Sequence, residues 1–307
     1  MPSEQIFHKV LLAVDGSLPS LIAEELTAFL AKKLDSNVTV LNVLSHELAA
    51  FRLGKYVPMA YRDIPLGTGG ATEENVSAEP ASGAQEAVSR EIATSYRQRS
   101  AEVIEEAVAL FKKEGVPVDQ KLVEHTDPAE SIIREAEKGN YDLVVVGYSG
   151  EEEETPHLGS VAKKTALYGK TSVLITREKE QISKILVPVD GSEHNKKVIH
   201  YATIMARELS TEVTLLNVQE PDLPPKTMKE IGTRILSEAA RQFKETKPNQ
   251  KLESGDPAKT ITQTAKEGNY DLILMGHKGH NALSRFLLGS VSDHVIHYTD
   301  RSVLLIK

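Results

Sequence analysis

Two glycine-rich stretches stand where an apolar run stops and a helical pattern begins. In one, Leu272-Ile-Leu-Met275 leads into Gly276-His-Lys-Gly279, nine residues follow, and Gly289-Ser290 opens the pattern Val291 to Tyr298. The spacing is G-x2-G-x9-G-S. Glycines let the backbone come close to a ligand and turn its N–H groups inward. A serine at a helix start adds a hydroxyl beside amides that lack intrahelical partners, where the helix dipole favours negative charge. Those pieces suit a polyphosphate. Two tight turns and a serine N-cap would use the same residue types. Placement at the carboxyl end of a strand in a parallel sheet is what favours the site over the turns.

The other stretch is Gly147-Tyr-Ser-Gly150, eight residues, then Gly159-Ser160. Its spacer is one residue shorter and begins Glu151-Glu-Glu-Glu154. A like-charge pair at ~6 Å costs roughly 0.7 kcal/mol even in a water-like dielectric. Several such pairs facing a triphosphate remove much of a micromolar affinity, itself about 8 kcal/mol. This stretch is expected to stay empty or to take something less anionic. Four consecutive glutamates converge poorly on a metal and read as a solvated charge run. His294 and His297 have metal-compatible i, i+3 spacing, but surface or packing roles fit them better.

The elements that position these residues occur twice. His8 to Ser17 matches Ser183 to Ser192, and Val38 to Val43 matches Val213 to Val218, both at an offset of 175. Asp127-Pro-Ala and Gly139-Asn-Tyr-Asp-Leu recur as Asp256-Pro-Ala and Gly268-Asn-Tyr-Asp-Leu at an offset of 129. Thr171 to Ile175 matches Arg301 to Leu305 at 130. A repeat at this scale predicts a duplicated fold. Short β-branched runs at 9–14, 38–43, 142–146 and 172–176, and at 184–189, 213–218, 271–275 and 302–306, read as strands buried on both faces. Weaker strands fall near 117–123 and 249–253. Helical patterns alternate with them, which predicts parallel strands and right-handed crossovers. The fold class is α/β, two tandem doubly wound five-stranded parallel-sheet domains, spanning 1–178 and 182–307. The first half carries an insertion at about 45–83, then a long helix from Ala84 to Glu114 that stops at Gly115. The last strands, Thr171 to Thr176 and Arg301 to Lys307, are apolar edges able to pair within the chain as a pseudo-dimer, with a homodimer as the other option.

Gly276 to Lys307, GHKGHNALSRFLLGSVSDHVIHYTDRSVLLIK, resembles the closing segment of nucleotide-binding universal stress proteins. Pro188-Val-Asp-Gly-Ser192 resembles their opening strand and loop. The likeness covers nearly the whole chain apart from the insertion, and it implies an adenine nucleotide α-hydrolase-like fold. It further implies that Asp190 contacts the adenosine with Val189 beside it, and that the Val218 backbone meets the adenine edge. Gly276, Gly279, His280, Gly289 and Ser290 would cradle the phosphates. The implied ligand is ATP, with Mg²⁺ as its usual companion. Asp15 and Val43 keep the nucleoside positions of the first half.

Other features narrow the function. The chain has 307 residues and a net charge of −8, so no global basic field draws it to nucleic acid or an anionic membrane. The absence of cysteine excludes disulfides, thiolate metal sites and cysteine nucleophiles. No apolar stretch approaches the ~20 residues that span a bilayer. These features predict a cytoplasmic protein. No P-loop, dinucleotide fingerprint or nucleophile elbow is present, and no base, nucleophile and orienting group form a set. The expected role is an ATP-binding stress-response or regulatory module acting on a protein partner the sequence does not identify. A slow ATPase, a self-phosphorylating enzyme or a scaffold for another small molecule are the alternatives.

Overall fold

The computed structural model of the protein describes residues 5–44, 83–124, 127–148, 158–177, 181–221, 224–278 and 288–307. The insertion between 45 and 82 lies outside them, as do Gly150, Glu151 to Glu154, Gly279 and His280. The first half runs β1 (Lys9–Ala13), α1 (Leu18–Leu34), β2 (Asn37–Leu44), α2 (Gly83–Glu114), β3 (Val118–Glu124), α3 (Pro128–Lys138), β4 (Leu143–Gly147), α4 (Ser160–Tyr168) and β5 (Ser172–Thr176). The second runs β6 (Lys184–Pro188), α5 (Glu193–Glu208), β7 (Glu212–Gln219), α6 (Pro225–Ala240), β8 (Asn249–Ser254), α7 (Pro257–Glu267), β9 (Leu272–Gly276), α8 (Ser290–Tyr298) and β10 (Ser302–Ile306).

Local chemistry sets several boundaries. Asp127 and Asp256 each precede a proline in the first turn, and each carboxylate accepts the amide three residues on, Glu130 N–H at 3.1 Å and Lys259 N–H at 2.8 Å. Proline at a helix start sacrifices no hydrogen bond, and aspartate satisfies one of the orphan donors. The central strands are buried along almost their whole length, whereas β3 alternates little and is mostly exposed. That difference explains why the β3 and β8 runs are faint in the sequence.

The ten strands of the described residues form one sheet in the order β3-β2-β1-β4-β5-β10-β9-β6-β7-β8. Neighbours within each half are parallel, and β5 meets β10 antiparallel through Leu174 and Leu304. The apolar edges of the two halves therefore cover each other. Helices α1, α2, α5 and α6 pack on one face and α3, α4, α7 and α8 on the other, each over its own apolar cluster. The sheet is thus doubly wound in both halves. The pseudo-twofold at the join is visible in hydrogen bonds: Arg177 N–H donates to Ser302 Oγ at 2.9 Å, and Lys307 N–H donates to Ser172 Oγ at 3.3 Å.

Candidate functional site

In each half the strand order reverses direction between the first and fourth strands, β1 and β4, then β6 and β9. A crevice opens beyond the carboxyl ends of strands at such a switch point. The sequence-derived residues of the second half that lie among the described residues sit at the ends of four elements. Val189 and Asp190 follow β6, Val218 lies near the end of β7, and Gly276 ends β9 while Gly289 and Ser290 begin α8.

The Asp190 loop is held by its own backbone. Val189 is buried; its N–H donates to Leu216 O at 2.8 Å and its carbonyl accepts from Asn217 Nδ2 at 2.7 Å. Asp190 N–H donates to Asn195 Oδ1 at 3.0 Å, while Asp190 Oδ1 accepts from Ser192 N–H at 2.9 Å. Gly191 supplies the left-handed turn, with φ +76°. Ser192 caps α5 only by position: its Oγ is buried and has no hydrogen-bond partner among the described residues. A buried hydroxyl in that state costs free energy unless something else completes it. In the first half the equivalent Ser17 Oγ accepts from Ser20 N–H at 3.3 Å.

Gly289 N–H donates to His277 O at 2.8 Å, so that amide fastens the glycine loop. The first intrahelical bond is donated by Asp293 to Gly289 O at 2.8 Å. The amides of Ser290, Val291 and Ser292 precede it and are the donors this helix start offers. Ser292, which the sequence reading did not single out, pins α8 to β9 by donating from Oγ to Gly276 O at 2.8 Å. Alanine stands at the corresponding Ala162 of the first half.

Charge separates the two crevices. Beyond the carboxyl ends of β9 and β10, His194 of α5, Lys278 and Lys307 lie close enough to His277 to act on its charge, and Lys197 of α5 reaches Lys307. His277 is driven down to about 4 by burial first, then by the charges of Lys307 and Lys278. Lys307 is lowered to about 8, again by burial first and then by Lys278. Lys197 Nζ donates to Lys307 O. At the repeat offsets the first half has Pro19, Ile22, Tyr148, Ser149 and Arg177.

The first crevice is also tighter. A Cβ on Gly147 would fall 2.6 Å from the backbone of Pro19, whereas the nearest atom to one on Gly276 is Lys278 O at 3.0 Å, with no α5 backbone closer than 3.9 Å. Helix α2 crosses the Asp15 loop, with Val103 Cγ2 2.7 Å from a Cβ built on Gly16. Asp15 N–H donates to Ser20 Oγ at 3.2 Å, and Ser20 Oγ donates to Glu24 Oε1 at 3.1 Å. Glu24 is buried, and that burial, reinforced by the charges of Glu106, Asp15 and Glu25, raises it to about 7 despite the Ser20 hydrogen bond.

Of the histidines near the end of the chain, His297 Nδ1 lies 2.6 Å from Asp293 O on its own helix, a packing role. No group of three metal-ligating side chains occurs among the described residues. Among those residues, no helix is long and apolar enough to cross a membrane.

The family model described as the universal stress protein family matches residues 74–177 and again 181–307. A universal stress protein of Methanocaldococcus jannaschii is 30% identical over 138 residues, covering 40% of this chain and 81% of that protein. One of Methanothermobacter thermautotrophicus is 31% identical over 144 residues, 42% of this chain and 97% of that protein. Among solved structures, a universal stress protein from Archaeoglobus fulgidus DSM 4304 superposes with a TM-score of 0.68 at 20% identity, covering 98% of each chain. That likeness is one of fold, and it includes both halves. Two matches of the family model in one polypeptide, joined in one sheet, establish that the chain belongs to the universal stress protein family in its tandem form.

Proposed function

We propose that the chain is an ATP-binding stress-response regulator that holds its nucleotide mainly in the second of two domains, 1–178 and 182–307. The observation that carries this reading is the cluster of His194, Lys197, His277, Lys278 and Lys307 at the carboxyl ends of β9 and β10; at the repeat offsets the first half keeps one cation, Arg177. The buried Ser192 hydroxyl beside Asp190 fits a ligand atom completing that loop. Val189, Asp190 and Val218 would hold the nucleoside; Gly276, Gly279, His280 and Ser290 would hold the phosphates, and Gly289, whose amide is bonded to His277 O, would leave room for them. Mg²⁺ would arrive with the ATP and share its charge. Nucleotide then regulates by favouring one conformation or partner complex over another, which requires unequal affinity for the two.

The direct test is a melting scan of the purified chain with Mg-ATP. A ligand at about 100 times its Kd stabilises the folded state by about 2.7 kcal/mol. A rise of several degrees is expected, along with nucleotide retained through purification. No shift at millimolar Mg-ATP and no retained nucleotide would end this reading.

The pH dependence of binding follows from His277. In the free protein its imidazole stays neutral down to about 4 because burial and neighbouring cations oppose a further charge. A polyphosphate reverses the sign of that field, so binding favours the protonated ring. If the anion restores the ordinary pKa near 6.5, affinity rises about fourfold from pH 8 to pH 6. His277→Gln is expected to lose this gain. The ligand's own titration cancels in the difference between the two proteins measured by calorimetry.

A further inference from the structure

We propose that Arg177, a residue of the first half, is a positioning residue for the anion site of the second half. It acts by gripping the far end of the helix that carries the site. The inference rests on the proposed nucleotide site in the second half. Helix α8 starts at the glycine loop with Ser290 and ends at Tyr298. Nine residues extend roughly 13 Å. Its last carbonyls lack intrahelical donors and must be satisfied from outside. Thr299 N–H takes Val295 O at 3.0 Å, and the next carbonyl, Ile296 O, accepts from Arg177 Nη2 at 3.1 Å. Arg177 is buried at 8% exposure, and its backbone is fastened to β10 through Ser302.

The guanidinium is itself clamped by the first half. It lies over the ring of Tyr148, 3.4 Å from the centroid. Tyr148 follows Gly147 directly, so it is part of the first glycine loop. A continuous set of contacts therefore runs from the first loop through Tyr148, Arg177 and Ile296 O along α8 to Ser290 in the second loop. The reverse path exists at the same repeat offset. Lys307, beside His277 of the second loop, donates from Nζ to Ala166 O at 2.6 Å and to Gly169 O at the end of α4, the helix that begins at Gly159-Ser160. Each half thus caps the loop-bearing helix of the other with a cation, Arg177 in one direction and Lys307 in the other.

A cation at a helix carboxyl end complements the dipole and fixes the helix along its axis. An anion site made of amides at the opposite end depends on that axial position, because its hydrogen bonds weaken steeply with misplacement. Arg177→Met keeps length and apolar bulk but leaves Ile296 O without its donor.

The test is Mg-ATP calorimetry on the full chain, with melting temperature measured in parallel. Arg177→Met is expected to weaken binding about fivefold to tenfold, and Arg177→Lys to return to within about twofold of wild type, because an ammonium already does this work at Lys307. A lower melting temperature with unchanged Kd overturns the positioning role and leaves Arg177 a simple interface residue. Equal loss from Met and Lys overturns it too. If Arg177→Met lacks a cooperative melt, Arg177→Gln takes its place, with a loss of about threefold expected and no loss overturning the proposal. Wild-type chain that fails to bind Mg-ATP removes the nucleotide reading itself, a result distinct from normal wild-type binding with unaltered variants.

Discussion

Replacing Glu24 with glutamine is expected to stabilise the chain by about 2 kcal/mol at pH 8 and to change its stability little at pH 4. The carboxyl is buried on α1, and its first opponent is desolvation; Glu106 from α2, Asp15 from the β1–α1 loop and Glu25 add like charge. Only Ser20 Oγ favours the ionised form. The folded group titrates near 7 against 4.5 for the unfolded chain. Between those values the native state binds more protons than the unfolded state, so stability falls as pH rises from 4.5 through 7. The full span corresponds to roughly 3 kcal/mol at 1.36 kcal/mol per unit. Glutamine keeps the shape, accepts the Ser20 hydroxyl and never ionises. Some of the gain is returned because its amide needs a partner of its own. His277 has the opposite dependence, since a lowered histidine makes the fold less stable as pH drops from 6.5 towards 4. The informative quantity is therefore the difference between wild type and Glu24→Gln, measured by urea unfolding at several pH values. Parallel pH profiles for the two proteins would show that Glu24 is not the buried acid described here.

Glu24 also shows where sequence reading stops. Glu24-Glu25 looks like the solvated side of an amphipathic helix, yet only Glu25 is exposed. Helix α2 decides this by lying across α1, and its register follows a segment with no counterpart in the second half. The strands were legible for the opposite reason. Runs such as Leu143 to Val146 and Leu272 to Met275 are apolar at every position because helices cover both faces of the sheet. The G-x2-G-x9-G-S spacing pointed to the end of β9 and the start of α8, which chain distance alone ties together. Its supports were not legible. Ser192 and Ser17 occupy the same repeat position with almost the same backbone angles, but only the Ser17 side chain caps its helix. Arg177 meets Ile296 across 119 positions only because β5 and β10 join antiparallel. The edge character of those strands suggested the join, but the side chains on its flanks carried no pattern of their own.

The asymmetry between the two crevices can be decided by paired substitutions at equivalent glycines. Gly289→Val is expected to weaken Mg-ATP binding by about 30-fold to 100-fold, and Gly159→Val to leave it within about twofold. Both glycines are N-cap residues with almost the same backbone, φ −64° and ψ 145° for Gly289, φ −59° and ψ 148° for Gly159. Neither lies in the left-handed region, so valine is conformationally tolerated at both, and any penalty to folding should be similar. What differs is what each N-cap serves. Gly289 immediately precedes the amides of Ser290, Val291 and Ser292, on the half that carries the cluster of His194, Lys197, His277, Lys278 and Lys307. A β-branched side chain there crowds the approach of a phosphate to those donors, at a cost of about one charge-assisted hydrogen bond, roughly 1.5–3 kcal/mol. Gly159 precedes the same backbone pattern, but Pro19 packs against Gly147 and Tyr148 is committed to Arg177. A polyphosphate gains little there, so blocking it costs little. Equal losses from the two substitutions would mean that both crevices take nucleotide, and the charge cluster would then be a feature of ligand preference rather than the reason one half binds.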